Sequence, residues 1–283
     1  MDNEGSRGTT RREGFYRFGI QEGVSPMLKT LGIVQACCGS PRFQAVIGRR
    51  IGGKPLLEWV VRRVTEATRL DGVIVVCRDG AEHQCVADLI PPDVPVFRGD
   101  EPDALGRLAR AVEQYPSEAI VRVRGESPFV DPALIDRLVT TAEAHPASDY
   151  MTYCSRDGQP AILSPVGVYA EWFRAKALRK AARAARRAAE REDVTQFVFT
   201  HPEKFHLRLI PAPAAIDRED VRLSVDFEED WDHALAIYDA LGPDSLEWQR
   251  IADLLDHQPA LRQRMATLNR AKEAIGYPRS AIS

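Results

Sequence analysis

Leu31-Gly-Ile-Val-Gln-Ala36 is a short apolar run that stops at Cys37-Cys38-Gly39-Ser40-Pro41. An apolar segment of strand length ending in a Gly/Ser/Pro cluster reads as a buried β-strand running into a loop. The same pattern recurs downstream. After Gly52-Gly53-Lys54-Pro55, the residues Leu56, Leu57, Trp59, Val60 and Val64 fall at helical spacing, with Pro55 where a first-turn proline is tolerated. Val73–Cys77 is a second strand, closed by Arg78-Asp79-Gly80, and Ala81–Ile90 a helix. Val94–Phe97 is a third strand, closed by Arg98-Gly99-Asp100; Asp103–Gln114 is a helix and Ala119–Val123 a fourth strand. Asp131 opens a further helix with Pro132 at its first position. Alternation of short apolar strands with helices predicts an α/β fold, an open, mostly parallel sheet with helices on both faces. Such sheets bind ligands at the carboxyl ends of their strands. Function is therefore expected in the loops 37–50, 77–80, 98–103 and 124–130.

The second half is less regular. Met151–Tyr169 reads as extended and turn-rich, and Trp172–Glu192 as one long Ala/Arg-rich helix. Phe205–Pro211 and Val221–Val225 are strand-like, and Asp230–Leu241 and Ser245–Ile275 helical. No internal repeat and no long linker appears. The expected organisation is a weakly ordered extension over 1–29, one domain over 30–275, and a tail over 276–283.

Composition narrows the function classes. In 283 residues, 38 Lys+Arg face 41 Asp+Glu, a net charge of −3, with 44% hydrophobic and 28% charged residues. That is a globular composition, not a disordered, collagenous or coiled-coil one. No stretch reaches the roughly 18–20 apolar residues of a membrane helix, and the near-neutral balance exerts no general pull on nucleic acid or anionic lipid. Residues 1–26 lack the continuous apolar centre of a secretory signal. The five cysteines (Cys37, Cys38, Cys77, Cys85 and Cys154) include no Cys-x-x-Cys pair, a usage expected of a cytoplasmic protein. Cys37 and Cys38 read as small packing residues, since no nearby His supports a nucleophile and adjacent cysteines are not a zinc spacing. The six histidines form no His-x-x-x-His pattern.

The loop after the first strand carries Gly39, Ser40, Arg42, Gly48, Arg49 and Arg50. Close-approaching backbone N–H groups and guanidinium groups are what a nucleotide phosphate needs. A solvated basic loop is the other reading, because neither the Walker nor the Rossmann glycine pattern is complete.

A family resemblance runs through these segments. Val34-Gln-Ala36, Gly39-Ser40, Arg42 and Gly52-Gly-Lys-Pro-Leu-Leu-Glu-Trp59 resemble the opening of the spore-coat-polysaccharide cytidylyltransferase-like proteins, relatives of the acylneuraminate and deoxy-manno-octulosonate cytidylyltransferases. The resemblance continues through Val94–Gly99, Asp103–Arg107, Val121–Pro132, Leu134–Leu138, Arg191–Thr195, His201–Phe205, Arg222–Asp226 and Trp248–Asp256. It implies a nucleotide-diphospho-sugar transferase fold. It also implies transfer of CMP from CTP to a sugar or sugar-acid hydroxyl with release of pyrophosphate, in surface-polysaccharide or specialised-metabolite synthesis. The implied nucleotide-binding residues are Gln35, Ala36, Gly39, Ser40, Arg42, Arg78, Asp79, Arg98 and Gly99. Arg42, Glu126 and Asp226 are the implied catalytic residues, with Mg²⁺ held by Glu126 and Asp226. Taken alone, Asp226 reads equally well as an N-cap of the helix that follows.

This chain departs from the family pattern at several points. Where the family loop usually reads Arg-Met-Gly-Ser-Thr-Arg-Leu-Pro-Gly-Lys, its first Arg is Cys37 here and its Lys is Val46, so two cations that face the triphosphate are missing; Arg49 or Arg50 stands near enough in sequence to substitute. The usual Gly-Asp-x-Pro is Gly125-Glu126-Ser127-Pro128, which keeps the carboxylate and adds one methylene. Gly99-Asp100-Glu101-Pro102 looks closer to that motif, but it follows the third strand and reads as the approach to a helix. Pro165-Val166-Gly167 lacks the acid of the family's Pro-Asp-Gly in the acceptor region. These departures leave open a second reading, a nucleotide-binding or scaffolding relative without turnover. The basic stretch from Arg174 to Arg191 has no interleaved aromatic residues for base stacking, so no nucleic-acid partner is expected; the resemblance places this region near a homodimer contact.

Overall fold

The computed structural model describes residues 27–36, 46–80, 86, 88–100 and 103–274. Nine strands lie among them: β1 Leu28–Ala36, β2 Arg50–Ile51, β3 Lys54–Pro55, β4 Gly72–Arg78, β5 Val96–Gly99, β6 Ser117–Arg124, β7 Tyr150–Cys154, β8 Glu171–Arg174 and β9 Leu207–Pro211. Seven form one sheet in the order β5-β4-β1-β6-β8-β7-β9, and β2 and β3 pair as a small hairpin. β5, β4, β1 and β6 run parallel, β8 is antiparallel to both β6 and β7, and β9 is parallel to β7. The α/β fold with a mostly parallel sheet is as the alternation predicts. β1 begins at Leu28, two residues before the expected domain boundary.

Nine helices cover the sheet in the described residues: α1 Leu56–Thr65, α2 Ala104–Gln114, α3 Pro132–Ala144, α4 Ala175–Ala184, α5 Ala188–Glu192, α6 Val194–Phe199, α7 Glu228–Leu241, α8 Trp248–His257 and α9 Pro259–Ala274. The period-2 alternation of β4 shows how the layers are made. Val73, Val75 and Cys77 pack with Leu57, Leu134, Trp231, Ile251 and Met265 on one face. Ile74 and Val76 pack with Leu105, Leu178 and Phe197 on the other. Strands buried on both faces read as near-continuous apolar runs, which makes β4 legible in the sequence.

Buried polar groups tie the layers together. The Asp131 carboxylate caps α3 by accepting from Leu134 N at 3.0 Å and accepts from Trp248 N at 2.9 Å, which docks α8. Arg63 donates to the carbonyls of Val130 at 3.2 Å and Leu246 at 2.9 Å. α2 is capped by Asp103, which accepts from Gly106 N at 2.6 Å, so the helix approach after β5 ends there.

Several expectations need correction. Trp172–Glu192 is not one helix: Trp172 and Phe173 lie in β8, and Ala185–Arg187 separates α4 from α5. Ser245–Ile275 contains two helices divided at Gln258, ahead of Pro259. Val221–Val225 pairs with no strand; its N–H groups at Leu223 and Ser224 donate to Pro165 O at 2.8 and 3.1 Å. The helix read over Ala81–Ile90 falls largely outside the described residues.

Candidate functional site at the carboxyl edge of the sheet

The parallel strands bring the expected residues to one edge. Ala36 ends β1 in register with Cys77, and Gln35 lies opposite Val76 on one side and Arg124 on the other. Arg78 ends β4 opposite Gly99, the last residue of β5, and Arg98 lies opposite Cys77. Gly125 N donates to Gln35 O at 3.0 Å and Asp79 N to Gly99 O at 2.8 Å, which fixes the first turns beyond the strands. Arg78, Asp79 and Arg98 are exposed there. Gln35 is buried, and its carboxamide oxygen accepts from Arg122 Nε. Arg122 also pairs with buried Glu171, which accepts from Tyr150 Oη at 2.6 Å and from Thr195 Oγ1 at 2.9 Å. Gln35 therefore holds the edge from within, through its backbone and this network. Cys37, Cys38, Gly39, Ser40 and Arg42 lie outside the described residues.

The two expected acidic residues come together although they are 100 positions apart in sequence. Glu126 follows β6 and is buried; its carbonyl accepts from Val225 N at 2.8 Å. That bond sets Asp226 beside it. The close approach depends on Gly167, whose φ is +69° and where an added Cβ would lie 2.6 Å from Ser224 N. The Asp226 carboxylate accepts from Ser224 Oγ at 2.7 Å and faces Arg222 at 3.3 Å. It does not cap α7. Asp230 does that, accepting from the N–H groups of Asp226 at 3.0 Å and Phe227 at 2.9 Å while pairing with Arg222 at 2.5 and 2.8 Å. Burial pushes the Asp230 carboxyl above its ordinary value against the pull of Arg222. The N-cap alternative for Asp226 is thereby removed.

Arg124, the last residue of β6, joins the pair. Its Nε donates to Glu126, one terminal nitrogen reaches Asp226 Oδ1 at 3.5 Å, and the other donates to Ile162 O at 3.0 Å. The sequence reading passed over Arg124. The available signal is an Arg that ends a strand two residues before the key acid.

Comparison with known proteins identifies the family. Residues 31–272 match the family model described as cytidylyltransferase. The chain belongs to the cytidylyltransferase family. The family's reaction is CTP-dependent nucleotidyl transfer. The spore coat polysaccharide biosynthesis protein SpsF of Bacillus subtilis is 29% identical over 81% of this chain and 95% of its own length. A cytidylyltransferase structure from Leptospira borgpetersenii superposes with a TM-score of 0.75 at 22% identity, over 83% of this chain and 97% of that one. The structure of CMP:2-keto-3-deoxy-manno-octonic acid synthetase complexed with CTP superposes with a TM-score of 0.57 at 16% identity, over 75% and 99%. These likenesses are of fold.

A cytidylyltransferase is expected to work with a divalent ion, and Glu126 and Asp226 offer the oxygen donors Mg²⁺ prefers. Their arrangement does not suit a resident ion. Arg124 engages one oxygen of each, Glu126 Oε1 and Asp226 Oδ1, and no group of three or more His, Cys, Asp or Glu that would hold a metal occurs among the described residues. The missing cations are also explained in part. Val46 is buried in the core against the Leu56 layer, so at this position the chain is committed to packing. Arg50 donates to Gly53 O at 2.6 Å within its own hairpin. Arg49 instead reaches Glu228, in the first turn of α7 two residues beyond Asp226, at 2.6 Å, and stacks over Trp231. Of the two arginines, Arg49 is the one that contacts α7, the helix that follows Asp226.

Proposed function

We propose that this cytidylyltransferase-family protein binds CTP at the carboxyl edge of β1, β4, β5 and β6 and transfers its CMP moiety to a hydroxyl of a sugar or sugar acid. The acceptor oxygen bonds to the α-phosphorus, the α–β phosphoanhydride bond breaks, pyrophosphate leaves and the hydroxyl proton is released. In this reading the backbone N–H groups of Gly39 and Ser40 and the guanidinium of Arg42 cradle the triphosphate, with Gln35, Ala36, Arg78, Asp79, Arg98 and Gly99 shaping the nucleotide seat. The divalent ion is Mg²⁺ brought in on the triphosphate as part of the substrate, and Glu126 and Asp226 are the carboxylates it meets. The acceptor is a precursor of a surface polysaccharide, as the name of the Bacillus subtilis relative suggests for that protein, and the molecule works in the cytoplasm as a homodimer. The observation that carries the reading is the joining of Glu126 to Asp226 through Val225 N, beside the ends of the parallel strands, in a chain of this family.

The alternative is a nucleotide-binding relative without turnover. Burial of Val46 where the resembled proteins carry Lys favours it. The test is thermal unfolding with each nucleoside triphosphate, with and without Mg²⁺, followed by pyrophosphate release with a panel of sugar acids. CTP at 100 times its Kd should add about 2.7 kcal/mol of stability by mass action. No stabilisation by any nucleotide would sink both readings; stabilisation without pyrophosphate release would favour the alternative.

A further inference from the structure

We propose that Arg124 is the built-in counter-cation of the Glu126–Asp226 pair and keeps a divalent ion from residing there in the nucleotide-free protein. This rests on the reading of that pair as the carboxylates that meet the metal of the nucleotide. The geometry is specific. A guanidinium presents donors in a fixed planar fork. Here Nε of that fork serves Glu126, one terminal nitrogen reaches Asp226, and the other is anchored on Ile162 O. Arg124 and Glu126 are both buried, so neither is well screened by water.

The charge balance leads to the same place. Three carboxylates, Glu126, Asp226 and Asp230, face two guanidiniums, Arg124 and Arg222. Asp230 is committed to Arg222 and to the N-terminus of α7. With Arg124 in place the cluster carries one net negative charge. Without it the cluster carries two, which is the complement of a divalent cation. Mg²⁺ needs near-octahedral oxygen geometry at short distance and gives up water reluctantly. In the nucleotide-free protein it meets a gap already bridged by a guanidinium that donates to both carboxylates. Arg124 thus makes this a site where metal and nucleotide are acquired together. It acts by occupying donors, which makes it a positioning residue.

The experiment is Mn²⁺ binding to the full-length protein followed by electron paramagnetic resonance, with no nucleotide present. The wild type should show no saturable site tighter than about 1 mM. Arg124→Gln should gain one at least about tenfold tighter, and Arg124→Gln with Glu126→Gln should lose it again. Arg124→Lys keeps a cation at the site and should stay near wild type. Circular dichroism establishes that each variant is folded. A tight wild-type site that Glu126→Gln abolishes would overturn the proposal. So would a folded Arg124→Gln that gains nothing. If Arg124→Gln does not fold, the wild-type and Arg124→Lys titrations still decide, because a tight site in either contradicts the proposal. A parallel CTP thermal shift separates the two levels. Failure of CTP to bind, with the Mn²⁺ gain intact, removes the proposed function and leaves the role of Arg124 standing.

Discussion

At the scale of single residues, the site is a contest between packing and charge. Position 46 shows it most clearly. The resemblance suggests that restoring Lys there would restore a phosphate contact, but Val46 is 2% exposed and packs in the core. Burying an unpaired ammonium is expensive. Val46→Lys should therefore lower the unfolding free energy by on the order of 3 kcal/mol, read as a lower urea midpoint. Cys37→Arg alone is the better probe of the missing cations. Arg42 is the surviving loop cation of the resembled pattern, so Arg42→Lys should weaken CTP binding about tenfold, since a point charge does not replace a forked donor. Calorimetric titration with CTP checks it, and unchanged affinity in Arg42→Ala would remove the loop as the phosphate site. Arg124 was missed because sequence spacing shows which residues share an element and not which distant carboxylates they will meet. Asp226 was found only through the collinear motifs, and its competing role as a cap was settled by where Asp230 points.

Elements were legible where burial dictates a simple pattern. The centres of β1 and β4 are apolar because helices cover both faces, and α3 is marked by Asp131-Pro132 at its start. Reading failed where a short strand abuts a good helix former. Glu171-Trp-Phe-Arg174 is only four residues long, and the Ala-rich run that follows extends the helical signal back over it. Its identity as a strand is decided by pairing with β6 and β7, which no local pattern contains. The segment 221–225 has strand-like residues but spends its N–H groups on Pro165 O and Glu126 O, because its task is to carry Asp226 to the edge. Gly167 permits that approach. Gly167→Ala imposes both a disfavoured positive φ and a collision with Ser224 N. It should destabilise by about 1–3 kcal/mol, and it should reduce CTP affinity by more than a surface change of equal stability cost, because the segment must shift away from Glu126. Urea titration and CTP binding on the same variant test the pairing of the two effects.

At the scale of the molecule, the C-terminal helices pack into the core on one face of the sheet, and acid should loosen that packing. His233 of α7 is buried, and desolvation lowers its pKa from 6.5 even though Asp230 opposes the shift. Its folded form therefore resists a proton that the unfolded chain accepts. The contribution is fully present above pH 6.5 and is lost as the pH falls below it toward the depressed folded value. The urea midpoint of the wild type should drop as the pH falls below 6.5 more steeply than that of His233→Gln; parallel curves would exclude His233 as the cause.

The same whole-molecule view predicts that nucleotide binding outlasts chemistry. The ends of β1, β4, β5 and β6, the turns that open after β4 and β6, and the Glu126–Val225 bond are built into the sheet, so under the proposed function a ground-state seat for the nucleotide should survive the loss of individual cations. Screening of departing pyrophosphate does not, because it relies on charges that Cys37 and Val46 no longer supply. Interactions made only in the transition state change kcat, whereas those made equally in both states change affinity. Cys37→Arg should accordingly raise the rate of pyrophosphate release by a larger factor than it tightens CTP. Arg49 is the candidate for compensation. Arg49 is held by an exposed pair with Glu228, two residues from Asp226, and such pairs contribute little stability. If the wild type already releases pyrophosphate rapidly, Arg49→Ala should abolish most of that rate while leaving the urea midpoint within experimental scatter. A fast wild type that is indifferent to Arg49→Ala would show that the missing cations were never needed.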